Sequence, residues 1–147
     1  MYETILSPID YGGLPLKNRI LFAPTTFGLS DEEYLAEIGR IAAGGCAMII
    51  IGDVPVGKSR FEKSLFDAKG FAFYQRVVDI AHKADCKVCA QLHQSDSNLL
   101  AMFKYIPGVL TKRITMQEMR TKLNDEVAPY ITGMSQKKIR KILAGFG

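Results

Sequence analysis

The chain has 147 residues, 48% of them hydrophobic and 23% charged, with 19 basic and 15 acidic side chains for a net charge of +4. That length suits one ordinary domain, and the balance excludes a coiled coil and a long disordered tail. The longest unbroken apolar run covers residues 47–51, far short of a bilayer span, and Met1-Tyr2-Glu3-Thr4 lacks the basic and apolar regions of a secretory signal.

The first apolar segment, residues 5–9, is followed by the turn signal Tyr11-Gly12-Gly13-Leu14 and a second segment, 16–20, which predicts a small hairpin. A continuous apolar run, 20–23, then closes at Pro24. Such a run suits a strand buried on both faces, as in a parallel sheet. Ser30-Asp31-Glu32-Glu33 is a capping box. Behind it Leu35, Ile38, Ile41 and Ala42 share one helical face, and Gly44-Gly45 stops the helix. Residues 46–51 form a second buried-strand run that ends at Gly52-Asp53. Phe73, Val77, Ile80, Ala81 and Ala84 mark a second helix, and 86–92 a third strand.

Strand, helix, strand, helix, strand is the order that brings parallel strands together through right-handed crossovers. The expected class is therefore α/β: about three βα units preceded by a β-hairpin. From 95 to 132 the periodicity fails, and Pro107-Gly108 and Pro129 punctuate the stretch. It reads as an irregular loop or insertion within a single 1–147 domain, with Thr115-Met116-Gln117-Glu118 capping one short helix. Ser135 caps a last helix carrying Ile139, Ile142, Leu143 and Phe146. Three parallel strands make only a small open sheet, whereas a closed barrel of this type needs eight strands and roughly 200 residues or more. The pattern therefore reads as an incomplete α/β barrel with unpaired strand edges, which favour self-association.

Ligands in α/β folds gather where parallel strands end. Three such spots exist: Ala23-Pro24-Thr25-Thr26, Gly52-Asp53-Val54 and Gln91-Leu92-His93. Cys86-x-x-Cys89 has the look of half a metal or redox motif. Residues three apart on a strand point to opposite faces, however, and Cys46 stands alone in the sequence, so the cysteines read as packing residues and no metal site is expected. His82 reads as a surface residue, and His93 as a lining residue or a substrate contact. Asp53 and Asp96 offer carboxylates that nothing in the sequence pairs. The late basic residues, from Lys104 to Lys141, carry no nucleic-acid-binding motif and read as solvated helix faces. Neither a nucleic-acid nor a membrane partner is expected, and free thiols without an export signal point to a cytoplasmic setting.

Leu6-Ser7-Pro8-Ile9 through Gly12-Gly13-Leu14-Pro15-Leu16-Lys17-Asn18-Arg19-Ile20, continued by Ala23-Pro24-Thr25-Thr26, resembles the opening of the old yellow enzyme family of NADH:flavin oxidoreductases. Gly44-Gly45 and the run to Gly52-Asp53 resemble that family's second strand. Val88-Cys89-Ala90-Gln91-Leu92-His93 resembles the third, and Gly133-Met134-Ser135 with the helix behind it precedes the family's fourth. The branch containing enoate, 2,4-dienoyl-CoA and bile-acid reductases is the most similar. The resemblance implies the N-terminal portion of a TIM (β/α)8 barrel that holds FMN at its strand ends and takes hydride from NAD(P)H to reduce an activated C=C bond of a small unsaturated substrate. It places Pro24, Thr25 and Thr26 against the flavin ring, with Thr26 tuning its N5/O4 edge. It makes Gly52 or Asp53 a backbone contact and Gln91 the amide on the pyrimidine edge.

The sequence also departs from the family. Gln91-Leu92-His93-Gln94-Ser95-Asp96 replaces the usual continuation through histidine to Gly-Arg. The family's substrate-anchoring pair, its tyrosine proton donor and its phosphate loops belong to later strands, and its iron–sulfur cluster and FAD to longer chains. No catalytic residue is thus expected within these 147 residues beyond Thr26 as a flavin-tuning group and His93 as a candidate. The alternative reading is a non-catalytic partial barrel that folds by self-association or by pairing with a C-terminal half.

Overall fold

The computed structural model describes residues 2–25, 27–58, 62–94 and 99–147, the side chains of 99–101 excepted. Thr26 and Asp96 lie outside the described residues. The chain forms two compact units, Met1–His93 and Gln94–Gly147.

The first unit opens with a short helix α1 (Glu3–Leu6) and a hairpin of β1 (Ile9–Tyr11) and β2 (Leu14–Leu16). The sequence places the hairpin strands at 5–9 and 16–20; they lie instead directly beside the turn, with Tyr11 opposite Leu14 and Ile9 opposite Leu16. Gly12 and Gly13 both have positive φ, and the Gly13 N–H donates to the Asp10 carboxylate at 2.8 Å. A two-residue turn with both φ values positive matches the twist of tightly paired strands, which draws them in toward the glycines. Residues 5 and 6 are left to close the turn of α1.

A three-stranded sheet follows in the order β3 (Leu21–Phe22), β4 (Met48–Pro55), β5 (Lys87–His93), parallel throughout. The crossovers are α2 (Asp31–Ala43) and α3 (Ala68–His82). Helix α2 begins where the sequence predicts, with the N–H and hydroxyl of Ser30 both donating to Glu33. Asp67 caps α3 by accepting the Gly70 N–H at 2.8 Å. Asn18 is buried and bridges β3 to the end of α2: its amide donates to the Gly45 carbonyl at 2.7 Å, and its oxygen accepts the Ile20 N–H at 3.0 Å.

The helices cover one face of the sheet. Ile38 and Ile41 of α2, Val77 and Ala81 of α3, and Ile49, Ile51 and Val54 of β4 form the main core. Val77 and Ala81 are fully enclosed, and each large aliphatic side chain buried this way contributes about 1.5–3 kcal/mol. The hairpin covers part of the other face, where Leu16 packs with Ala47 and Met48, and Ile9 and Ile50 lie against them.

The second unit is helical: α4 (Leu99–Leu110), α5 (Met116–Thr132) and α6 (Gln136–Leu143). Within the stretch expected to be irregular at 95–132, residues 99–110 and 116–132 are helical, while 95–98 lie outside the described residues. Pro107 and Pro129 lie inside α4 and α5 rather than ending them. Hydroxyls re-use carbonyls near these breaks, with Thr111 donating to the Pro107 carbonyl at 2.8 Å and Thr132 to the Ala128 carbonyl at 2.9 Å. Thr115 and Glu118 form a reciprocal capping box, so that motif opens a 17-residue helix, not a short one. Lys104 and Tyr105 of α4 both donate to Glu126 of α5, clamping the helical pair. Ser135 caps α6 as expected. Among the described residues, no helix is long and apolar enough to cross a membrane.

Candidate functional site

Side chains alternate along a strand, so Ile49 and Ile51 face the helices while Met48, Ile50 and Gly52 face the other way. On β5, Val88 and Ala90 pack toward the helices, leaving Cys89 and Gln91 exposed on the opposite face. On β3, Phe22 packs inward and Leu21 is 47% exposed. The hairpin caps only the N-terminal end of this second face. Past Ile50 it is open, and it ends in Gly52, Gln91 and the Pro24 segment.

These three converge. A Cβ built on Gly52 would stand 2.5 Å from the Gln91 amide oxygen and 3.1 Å from the Pro24 Cβ. With the Gln91 amide in this position, only a residue without a side chain fits between them. The pairing of β4 with β5 runs in register to Ile51 opposite Ala90, then resumes at Val54 opposite Leu92. Gly52 and Asp53 together therefore oppose Gln91, which is a β-bulge. Strand β4 continues beyond it to Pro55, so Gly52-Asp53 interrupts the strand where the sequence places its end. The Gly52–Asp53 peptide is cis.

The remaining predicted residues lie around this centre. Thr25 is exposed, and its hydroxyl donates to the Ala23 carbonyl at 3.3 Å. Asp53 is exposed at the bulge and, like Gln91 and His93, makes no side-chain hydrogen bond or ion pair among the described residues. His93 is half-buried, pairs with Pro55, and follows Gln91 by two residues, on the same face of β5. Thr26 lies outside the described residues.

Sequence reasoning missed a second feature at this end of β4. Gly52 and Asp53 border a cavity of about 290 Å³ whose other walls include Tyr34, Lys63, Phe73 and Tyr74. The Lys63 ammonium sits 4.5 Å over the Phe73 ring and 2.6 Å from the Asp31 carboxylate, while the Tyr74 hydroxyl donates to the Lys63 carbonyl at 3.2 Å. Burial, with smaller contributions from Tyr34 and nearby carboxylates, pushes Tyr74 up to about 12, and burial also raises Tyr34. Both tyrosines act as neutral hydroxyls at physiological pH. The ring contacts Phe22–Phe27–Tyr34–Phe73–Tyr74 join β3 to α3 over the core. No spacing in the sequence signals the Lys63–Asp31 pair.

The cysteines divide as the strand alternation requires: Cys86 is fully buried and Cys89 exposed. Cys46 does not stand alone in space, because its sulfur lies 3.5 Å from that of Cys86. Cys89 is not a packing residue. Among the described residues, no group of three His, Cys, Asp or Glu side chains is placed to hold a metal ion.

The chain matches no protein-family model. It is 56% identical over its whole length to a bilirubin reductase of Clostridium symbiosum (strain WAL-14163). It is 27% identical over 97% of its length to a bilirubin reductase of Mediterraneibacter gnavus (strain CC55_001C). The chain spans 40% of the first protein and 23% of the second. Its fold matches the crystal structure of Old Yellow Enzyme from Pichia sp. AKU4542 with a TM-score of 0.55 at 18% identity, covering 71% of this chain and 30% of that one. At that identity the likeness to Old Yellow Enzyme is one of fold. The expected hairpin, βα units and open parallel sheet of an incomplete TIM-barrel-like fold are present.

Proposed function

We propose that this chain supplies the ring-binding strand ends of an FMN-dependent NAD(P)H oxidoreductase that reduces conjugated C=C bonds. The observation that carries the proposal is the convergence of Pro24, Gly52 and Gln91 at the open end of one sheet face. The residues present fit a flavin ring in two ways. The bare Gly52 lets a flat ligand approach the backbone. The exposed Gln91 amide, with no hydrogen-bond partner among the described residues, is both donor and acceptor, matching the N3–H and carbonyl oxygens of an isoalloxazine edge.

When bound, FMN supplies the hydride relay between NAD(P)H and the double bond. This chain's own residues bind and orient. Gln91 would hold the pyrimidine edge, and Pro24, Thr25 and the Gly52-Asp53 backbone would contact the ring, with Thr26, outside the described residues, assigned there by the resemblance alone. Hydrogen bonds at these edges set how strongly the protein favours the electron-rich form of the ring. His93, on the same strand face as Gln91, serves as a substrate contact. The 56% identity to a bilirubin reductase supports a substrate with an extended conjugated system, of which bilirubin, an open-chain tetrapyrrole, is the first candidate.

A fluorescence titration of the purified chain with FMN tests this reading. Saturable quenching that weakens in Gln91→Ala supports it. Flavin fluorescence that stays unchanged through high-micromolar protein contradicts it.

A second reading rests on the strand edges. Among the described residues β5 pairs only with β4, and β3 only with β4, so each outer strand keeps one unpaired edge. Self-association through these edges, or pairing with further strands, satisfies them. Sedimentation showing a concentration-independent monomer would remove the self-association form of this reading.

A further inference from the structure

We propose that Cys46 and Cys86 form a reversible intrachain disulfide, a redox staple that ties the segment entering β4 to the segment entering β5. The two residues are 40 positions apart, yet their sulfurs are 3.5 Å from each other inside the main core. Each stands just before its strand, Cys46 two residues ahead of Met48 and Cys86 next to Lys87. The strands are paired at that level, with Met48 opposite Lys87 and the Lys87 N–H donating to the Ala47 carbonyl at 2.8 Å. The sheet register therefore holds the two sulfurs together, and bond formation needs only a further approach of about 1.5 Å from contact to bonding distance.

Access is uneven. Cys86 has no exposed surface, whereas Cys46 retains 6% and follows the Gly44-Gly45 end of α2, where Gly45 has φ +96°. Helix ends open locally at lower cost than the core around them. Burial and the adjacent Cys46 sulfur push the Cys86 thiol up to about 12, so Cys86 stays protonated. Oxidation starts at Cys46, the one of the pair that keeps exposed surface.

With hydrogen peroxide as oxidant, the Cys46 thiol takes one peroxide oxygen to become a sulfenic acid, and the other oxygen leaves as water. The Cys86 sulfur then attacks the Cys46 sulfur, the S–S bond forms, the S–O bond breaks, and the hydroxyl departs with the Cys86 proton as a second water. Two thiols are oxidised and one peroxide is reduced. The link closes a loop through β4 and α3, so it restricts the unfolded chain and raises the unfolding midpoint.

The test exposes the folded, reduced chain to a small excess of hydrogen peroxide, alkylates remaining thiols in denaturant, and maps the peptides without reductant. The expected result is an intact mass lower by about 2 Da, a peptide joining Cys46 to Cys86 that dithiothreitol releases, and a higher urea midpoint for the oxidised chain. Cys89→Ser forms the link to the same extent, and Cys46→Ser does not form it. Recovery of Cys46 and Cys86 both alkylated, with oxidation confined to Cys89, overturns the proposal. So does a Cys46–Cys86 link that appears only when peroxide is added in denaturant.

Discussion

The Gln91 amide oxygen occupies the space that any side chain on Gly52 would need: a Cβ there would lie 2.5 Å from it. Gly52 and Gln91 are thus one unit, set by the bulge that puts Gly52 and Asp53 together opposite Gln91. Gly52→Ala must displace the amide, which is the free end of a flexible side chain, and must push the Pro24 Cβ, now 3.1 Å away, by a few tenths of an ångström. The fold therefore survives while the ring site is lost. Losing one well-placed hydrogen bond lowers FMN affinity about tenfold, with a change in urea midpoint equivalent to less than about 1.5 kcal/mol. Paired flavin titrations and urea melts of wild type and variant check both halves.

Gly70→Ala has the opposite character. A Cβ on Gly70 would stand 2.1 Å from the Ser64 carbonyl oxygen and 2.5 Å from its nitrogen. These are backbone atoms of a fully buried residue whose hydroxyl donates to the Gly57 carbonyl at 2.6 Å and accepts the Phe66 N–H at 3.0 Å. The loop leading into α3 cannot yield without breaking that pair of bonds. The expected cost is about 2 kcal/mol or more, read as a lower urea midpoint. Gly57→Ala is the control: nothing lies within 4 Å of its Cβ position, so its effect stays within about 0.5 kcal/mol.

The helical unit has an acid-sensitive clamp. Lys104 and Tyr105 hold the Glu126 carboxyl below its ordinary value of 4.5. A depressed folded-state value means that the carboxylate's stabilisation is present above about pH 4.5 and is lost as pH falls through the lower folded value. Glu118, held down by the Thr115 backbone and hydroxyl, acts in the same direction at the start of α5. Wild type should therefore show slower amide exchange than Glu126→Gln across 99–132 at pH 7, and the difference should disappear toward pH 3. A difference that persists unchanged at low pH would show that the charge is not what holds α4 to α5.

Much of this was legible in the sequence because the controlling interactions are local. The Ser30–Glu33, Thr115–Glu118 and Ser135 caps join residues at most three apart, and the two-glycine turn fixes the hairpin. The parallel sheet follows from three apolar runs separated by helical patterns. What escaped depends on distant partners or on tolerated breakers. Gly52-Asp53 resembles a strand end because its periodicity slips, and only pairing with Gln91 shows that it is a bulge within β4. Cys46 and Cys86 meet through sheet register, not spacing. Helix α4 is obscured by Pro107-Gly108, yet Gly108 has a packing reason: a Cβ there would lie 3.1 Å from Ile114.

The central claim is that these strand ends hold the ring of a flavin, independently of its phosphate. Side-by-side titrations of the chain and its Gln91→Ala variant with FMN and with riboflavin, which lacks the phosphate, test it most directly. The account predicts that both ligands bind wild type with affinities within about threefold of each other, and that Gln91→Ala weakens both about tenfold, the value of one lost hydrogen bond. Binding of FMN without riboflavin, or binding of both unaffected by Gln91→Ala, would contradict it.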